Sequence, residues 1–200
     1  MTRLVVIGGS SGIGRAVAER ALAAGWDVTV ASRDPERGPA DAERVALDVT
    51  DGGAVEHTFA GLGTIDHLVC TAGAPARGPA READLDAGRR AFETKLFGPL
   101  SAIRSTQIRS SIVFTSGLAA TVPAAGAFFA GAVNGAVEAA VRSLARELAP
   151  VRVNAIAPGL IDTPLHHGLP EAQRQAMFER VGAALPAGRV GRSDDVADAA

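Results

Sequence analysis

Short runs of aliphatic and β-branched residues alternate along the chain with Ala-rich stretches whose apolar positions recur at helical spacing. The run Leu4-Val5-Val6-Ile7 has no polar interruption, which suits a strand buried on both faces rather than one wetted on one side. It predicts a first strand at residues 3–7, then a glycine-rich turn and a helix to residue 24, stopped by Gly25. Further strands are predicted at 28–31, 45–47, 68–70, 112–115 and 151–156, a long helix at 128–148, and two closing helices at 171–184 and from 193 onward. Strands alternating with helices imply an α/β fold, a Rossmann-like doubly wound parallel sheet of six strands with right-handed crossovers and helices on both faces. The Gly/Pro/Ala-rich segments 74–80 and 155–170 follow the fourth and sixth strands, at the carboxyl ends where such sheets place their ligands.

Composition narrows the chemistry. Two hundred residues with 47% apolar and 21% charged positions fit a single domain over 1–200, and argue against disorder or a coiled coil. A net charge of −2 offers no field for nucleic acid or an anionic membrane, and no apolar run approaches spanning length. Cys70 is the single cysteine, so neither an internal disulfide nor a cysteine-built zinc site can form, and no metal site is expected. With no signal-peptide pattern before the first strand, a reducing cytoplasm is the default compartment. Tyrosine is absent and Lys95 is the only lysine among twenty basic residues. Chemistry that requires a phenol is thereby excluded everywhere in the molecule.

The turn after the first strand reads Gly8-Gly9-Ser10-Ser11-Gly12-Ile13-Gly14 and opens a helix. Glycines there allow a tight turn and close approach of the backbone to a pyrophosphate, while the helix N-terminus offers unpaired N–H groups to its charge. The pattern resembles the short-chain dehydrogenase/reductase family, whose signature Thr-Gly-x-x-x-Gly-x-Gly is matched by Gly8, Gly12 and Gly14, with Ile7 in place of the threonine. The likeness continues through Asp48-Val49-Thr50, similar to the family's adenine-contacting segment, and Thr71-Ala72-Gly73, a variant of its Asn-Asn-Ala-Gly. It ends in Pro158-Gly159-Leu160-Ile161-Asp162-Thr163, similar to the loop that flanks the nicotinamide, whose threonine binds the carboxamide. What this resemblance implies is a dinucleotide held by Gly8, Ser10, Ser11, Gly12, Ile13, Gly14, Asp48, Val49, Ala72, Gly73, Pro158, Gly159, Ile161 and Thr163. Arg33 follows the second strand where a ribose-binding carboxylate is missing from Ala31 and Ser32; a guanidinium there favours the 2′-phosphate of NADP(H) over NAD(H), unless it is an ordinary solvated arginine.

Family members that reduce ketones use a Tyr as proton donor, a Lys four residues later, a Ser that positions substrate and an Asn in a water relay. Setting Ser116 at the serine position puts Phe129 and Val133 at the Tyr and Lys positions; an equally natural setting puts Gly117 at the serine and loses that hydroxyl. Lys95 falls at the relay Asn. It is either a substitute acid or electrostatic anchor reaching toward Val133, or a lysine paired with Glu93 or another helix carboxylate. The candidate catalytic residues are therefore Ser116 and Lys95. His166 and His167, past Thr163-Pro164, could act as acid or base but fit a surface loop better, and Cys70 reads as an inert small hydrophobe.

Against the family's usual lengths, the segment from Lys95 to Ser116 is short, so the helix before the fifth strand should end at 104–107. The family's last edge strand is absent from these residues, so that either the native chain continues past Ala200 or a partner subunit covers the sixth strand's edge. Relatives also associate through the long helix, so a homo-oligomer is expected by analogy. The reading is an NADP(H)-dependent oxidoreductase with a non-standard active site acting on a small molecule such as a carbonyl compound. Two alternatives are an inactive NADP(H)-binding sensor and a non-redox isomerase or lyase on the same scaffold.

Overall fold

The computed structural model describes residues 1–200. Six parallel strands form one sheet: β1 (Arg3–Ile7), β2 (Asp27–Ser32), β3 (Glu43–Ala46), β4 (Ile65–Cys70), β5 (Ile108–Thr115) and β6 (Arg152–Ile156). Their spatial order is β3-β2-β1-β4-β5-β6, so the direction of winding reverses between β1 and β4. A crevice opens at the carboxyl ends of the strands at such a reversal. This is the Rossmann-like doubly wound fold expected from the apolar pattern.

Alternation along each strand splits the core in two. Val5, Ile7, Leu68, Cys70, Ile112 and Phe114 point to one face. There they pack with Phe59 of helix α2 (Gly52–Leu62) and with Val137 and Val141 of helix α5 (Phe128–Glu147). Leu4, Val6, Val28, Val30, Val69 and Val113 point to the other, against the small residues Ala16, Val17, Ala18 and Ala21 of helix α1 (Gly12–Ala23). Each such aliphatic side chain contributes roughly 1.5–3 kcal/mol by leaving water. Alanines on α1 let it lie close to the sheet, which fixes where its N-terminus points. Gly25, at φ +78°, ends the helix as expected, its N–H donating to Leu22 O at 2.9 Å.

Several boundaries differ from expectation. β4 and β5 begin earlier, at Ile65 and Ile108, because polar residues interrupt their apolar runs yet are satisfied in place. Asp66 Oδ2 accepts from the Arg3 amide at 2.9 Å, and His67 Nδ1 shares a 2.7 Å hydrogen bond with Ser111 Oγ. A register shift between Ile65 and His67 absorbs the irregularity. Helices α2 and α3 (Leu85–Phe92) were not located by the sequence pattern, whereas α4 (Gly98–Ser105), α5 and α6 (Glu171–Ala184) fall where it placed helices. After β6, a two-stranded ribbon of β7 (Ile161–Asp162) and β8 (Gly191–Arg192) ties the post-β6 loop to helix α7 (Ser193–Ala197). That helix packs on α1, with Arg20 paired to Asp198. β6 stands at the edge of the sheet.

Candidate functional site

The glycine turn sits at the reversal between β1 and β4. Gly8 and Gly12 adopt φ of +88° and +52°, conformations that disfavour other residues. The amides of Ser10, Ser11, Gly12, Ile13 and Gly14 make no backbone hydrogen bond; the first one engaged is that of Arg15, on Ser11 O at 3.2 Å. A cluster of unpaired N–H groups at the positive end of α1 is a ready seat for a diphosphate. A Cβ on Gly8 would lie 2.6 Å from Ala72 N, and one on Gly14 would lie 2.4 Å from Gly8 O and 2.3 Å from Thr71 Oγ1. These two glycines are thus required by packing against the end of β4. Thr71 holds that packing: its hydroxyl donates toward Ile7 O (3.1 Å) and Gly8 O (3.2 Å), and its amide donates to Ile7 O (2.8 Å).

The loop after β6 closes over the same turn. Thr163 is buried, and its Cβ is 3.3 Å from where a Gly12 Cβ would be. Pro158 O accepts from the Leu118 amide at 3.0 Å, Ile161 is anchored in β7, and Gly159 has open space around it. Four of the motif segments, from β1, β4, β5 and β6, therefore meet at one end of the sheet. Arg33 is exposed past the end of β2, close enough to Asp48 to contribute to holding its carboxyl below the ordinary range. The larger causes of that lowering are the Thr50 amide (2.9 Å) and hydroxyl (2.8 Å), both donating to Asp48 Oδ1. Val49 is buried, and its carbonyl lies against Gly98 at the start of α4, where a Cβ would come within 2.2 Å of it.

Lys95 stands in a π-helical turn, Glu93–Phe97, inserted between α3 and α4. Such one-residue expansions re-aim the side chains they carry. Lys95 runs past Gly73, its Cε 3.7 Å from where a Cβ would be. Its Nζ donates to Ser116 O at 2.8 Å and to Asn134 Oδ1 at 2.7 Å. It forms no ion pair, with Glu93 or any other carboxylate. Burial of the ammonium lowers its pKa to about 8. Of the two sequence readings of Lys95, the pairing with Glu93 is therefore ruled out.

Two expectations about its neighbours need correction. Ser116 is buried, but its hydroxyl donates to Glu138 Oε1 at 2.7 Å, so the residue meets Lys95 through its carbonyl oxygen and not as a positioning hydroxyl. On α5, the side chain that meets Lys95 is Asn134, not Val133, which is buried at 2% exposure. The ring of Phe129 leans on α3 instead, so near that a Cβ on Gly88 would lie 2.4 Å from it. Because positions four apart share a helix face, Ala130 is the residue one turn before Asn134 on the side turned to Lys95. Phe129 and Val133 carry the same spacing as Ala130 and Asn134, so spacing alone cannot choose between these adjacent faces of α5. Asn134 and Glu138 were missed; as polar residues four apart on an otherwise Ala- and Val-rich helix, they were the available signal.

Among the histidines, His166 is half-buried, edge-on to Phe178 of α6 at 5.7 Å, and His167 is exposed. Burial, with help from Arg77, keeps the His166 ring below its ordinary pKa. Cys70 is fully enclosed, which pushes its thiol far up and makes it inert, as expected. No group of His, Cys, Asp or Glu residues is arranged to hold a metal, and no helix is long and apolar enough to cross a membrane.

Residues 7–200 match the family model described as enoyl-(acyl carrier protein) reductase. The chain is 32% identical to the short-chain dehydrogenase/reductase ATR9 of Stachybotrys chlorohalonatus, over 98% of its own length and 87% of the relative's. It is 37% identical to cis-4-hydroxycyclohexanecarboxylate dehydrogenase of Sinomonas cyclohexanicum, covering 98% and 86%. Its fold superposes with a TM-score of 0.88 on a crystal structure of a small-chain dehydrogenase in complex with NADPH, at 37% identity, covering 99% of this chain and 88% of that one. The sheet order, the glycine turn locked on β4 and these likenesses agree: the chain belongs to the short-chain dehydrogenase/reductase family of oxidoreductases.

Proposed function

We propose that the protein is an NADP(H)-dependent oxidoreductase of a small carbonyl or hydroxy compound, in which Lys95 faces the substrate oxygen in place of the family's tyrosine. The observation that carries this is the position of Lys95 Nζ. It is a half-buried ammonium at the carboxyl ends of β4 and β5, bonded only to neutral oxygens, in a chain with no tyrosine. The amides of residues 10–14 would hold the diphosphate, Thr163 and Ile161 the nicotinamide side, and Asp48 and Val49 the adenine side. When bound, the dinucleotide supplies the hydride. Relatives that act on a hydroxycyclohexanecarboxylate and bind NADPH support this class of substrate and cofactor.

The position of Lys95 supports a shifted family frame. Gly117, Ala130 and Asn134 keep the spacings of thirteen (130 − 117) and four (134 − 130) residues that separate the family's Ser, Tyr and Lys. In that frame the ammonium comes from the π-turn and the amide from α5, the reverse of the usual assignment. Fluorescence titration with NADPH, followed by a turnover assay on a panel of ketones, enones and aldehydes, tests the reading. NADPH binding without turnover would favour a sensor, and binding of no pyridine nucleotide would contradict it.

Arg33 carries the cofactor preference. Arg33→Ala should weaken NADPH binding about tenfold or more, the loss of a charge-assisted pair of roughly 1.5–3 kcal/mol, and leave NADH nearly unchanged. An equal effect on both nucleotides would remove Arg33 from the 2′-phosphate. The folded pKa of Lys95, about 8, lies below its ordinary 10.5. Between those values the unfolded chain binds more protons than the native one, so this group makes the protein more stable as pH rises through that window. Urea unfolding at several pH values should show wild type gaining on Lys95→Met from about pH 8 upward. Over the same range the ammonium is lost, so kcat/KM should fall as pH rises.

We also propose a homodimer built on α3 and α5. Leu85, Phe92, Phe97 and Phe129, with Gly88 and the charged Arg89 and Glu93, line an open groove of about 380 Å³, and Leu85, Phe97 and the neighbouring Phe128 are exposed.

A further inference from the structure

We propose that Lys95 is an oxyanion holder and that the site takes an ionised enol or phenol, an enolate-type oxygen, in preference to its neutral form. This rests on the reading of Lys95 above and names the class of ligand it suits. An ammonium has three N–H donors, and two are spent on Ser116 O and Asn134 Oδ1. Both partners are acceptors that hold the ammonium in place. Neither can return a proton to it, because the Asn134 amide N–H points at Gly117 O (3.4 Å) and the Ser116 hydroxyl donates to Glu138.

The groups placed against Lys95 come from three elements: Gly73 from the β4 loop, Ser116 O from the end of β5 and Asn134 from α5. None of the three is a carboxylate; the nearest one the hydrogen bonds connect to them, Glu138, has its Oε1 on the Ser116 hydroxyl. The charge of Lys95 is thus half-buried with no carboxylate in ion-pair reach, and neutral oxygens compensate a partly desolvated cation only in part. A ligand oxygen with full negative charge at the third N–H completes the set. A neutral carbonyl leaves the charge uncompensated. Held by acceptors alone, Lys95 is arranged to stabilise negative charge on a ligand oxygen. Asn134 is the positioning residue that aims it.

The test uses 4-nitrophenol, which ionises near neutrality and changes colour when it does, titrated with the full chain without nucleotide. The phenolate should bind at least tenfold more tightly than the phenol, read as a downward shift of the bound probe's pKa by one unit or more. Lys95→Met should abolish the shift, Lys95→Arg should keep it because the cation remains, and Asn134→Ala should reduce it. Circular dichroism confirms that each variant folds. An unshifted probe, no binding of either form at millimolar concentration, or a shift that survives in Lys95→Met would overturn the proposal. A parallel NADPH titration separates the two readings: lost NADPH binding with an intact nitrophenolate shift contradicts the proposed cofactor and leaves the oxyanion holder standing.

Discussion

Replacing Lys95 by methionine is expected to lower turnover of the substrate by about 10²- to 10⁴-fold, the usual contribution of a positioned acid or charge-stabilising group. Methionine fills similar space, so the loss should come from the charge rather than from packing. The structure offers no understudy. Ser116 has its hydroxyl on Glu138, and the ring of Phe129 lies against α3. Because the ammonium is partly desolvated without a counter-ion, its removal should also relieve the fold below about pH 8, giving an inactive protein that is as stable as wild type or more so. Turnover assays and denaturant curves on one preparation check both halves. Full activity in the methionine variant would move the chemistry elsewhere.

Gly14→Ala is expected to have the largest effect on the nucleotide site. The new methyl would lie 2.4 Å from Gly8 O and 2.3 Å from Thr71 Oγ1, both inside contact distance, and the first is backbone that cannot swing aside. Either α1 must back away from β4 or the turn must open. Overpacking of this kind costs about 1–3 kcal/mol, and displacement of α1 would scatter the free amides of residues 10–14. Stability should fall by that amount and NADPH affinity by more than tenfold. Gly61→Ala, inside α2 with nothing within 4 Å, is the matched control. It should be neutral or stabilise by up to about 1 kcal/mol, since alanine is the better helix former. Equal behaviour of the two variants would mean that the turn has slack the geometry does not show.

The parallel sheet and the glycine turn could be read from the chain because each is dictated locally. Unbroken aliphatic runs such as 4–7 must be buried on both faces, and Gly8, Gly12 and Gly14 stand at a fixed distance from the end of a strand. The surroundings of Lys95 could be read only in part. Its location near the other motifs follows from chain order, but the π-turn that aims it depends on α4 closing on Val49 O at Gly98, a long-range contact with no local signature. The choice between the Val133 and Asn134 faces of α5 is likewise settled by packing: the Phe129 ring fits over Gly88, which lacks a side chain. The ribbon of β7 and β8 was missed because two residues per strand leave no periodicity to detect.

That ribbon and the lock between Thr71 and the glycine turn also explain how the site is held. The post-β6 loop, carrying Thr163, is tied at both ends, through Leu118 to β5 and through Gly191 to α7. The walls of the crevice are thus fixed by backbone hydrogen bonds on strands and short connections, with Lys95 held beside them on Ser116 O and Asn134 Oδ1.

Calorimetric titration of the wild-type chain with NADPH and with NADH tests the central claim most directly, that the bare amides after β1 hold a pyridine dinucleotide. One NADPH should bind per chain with micromolar or tighter affinity and NADH at least tenfold more weakly. No heat with either nucleotide would contradict the account.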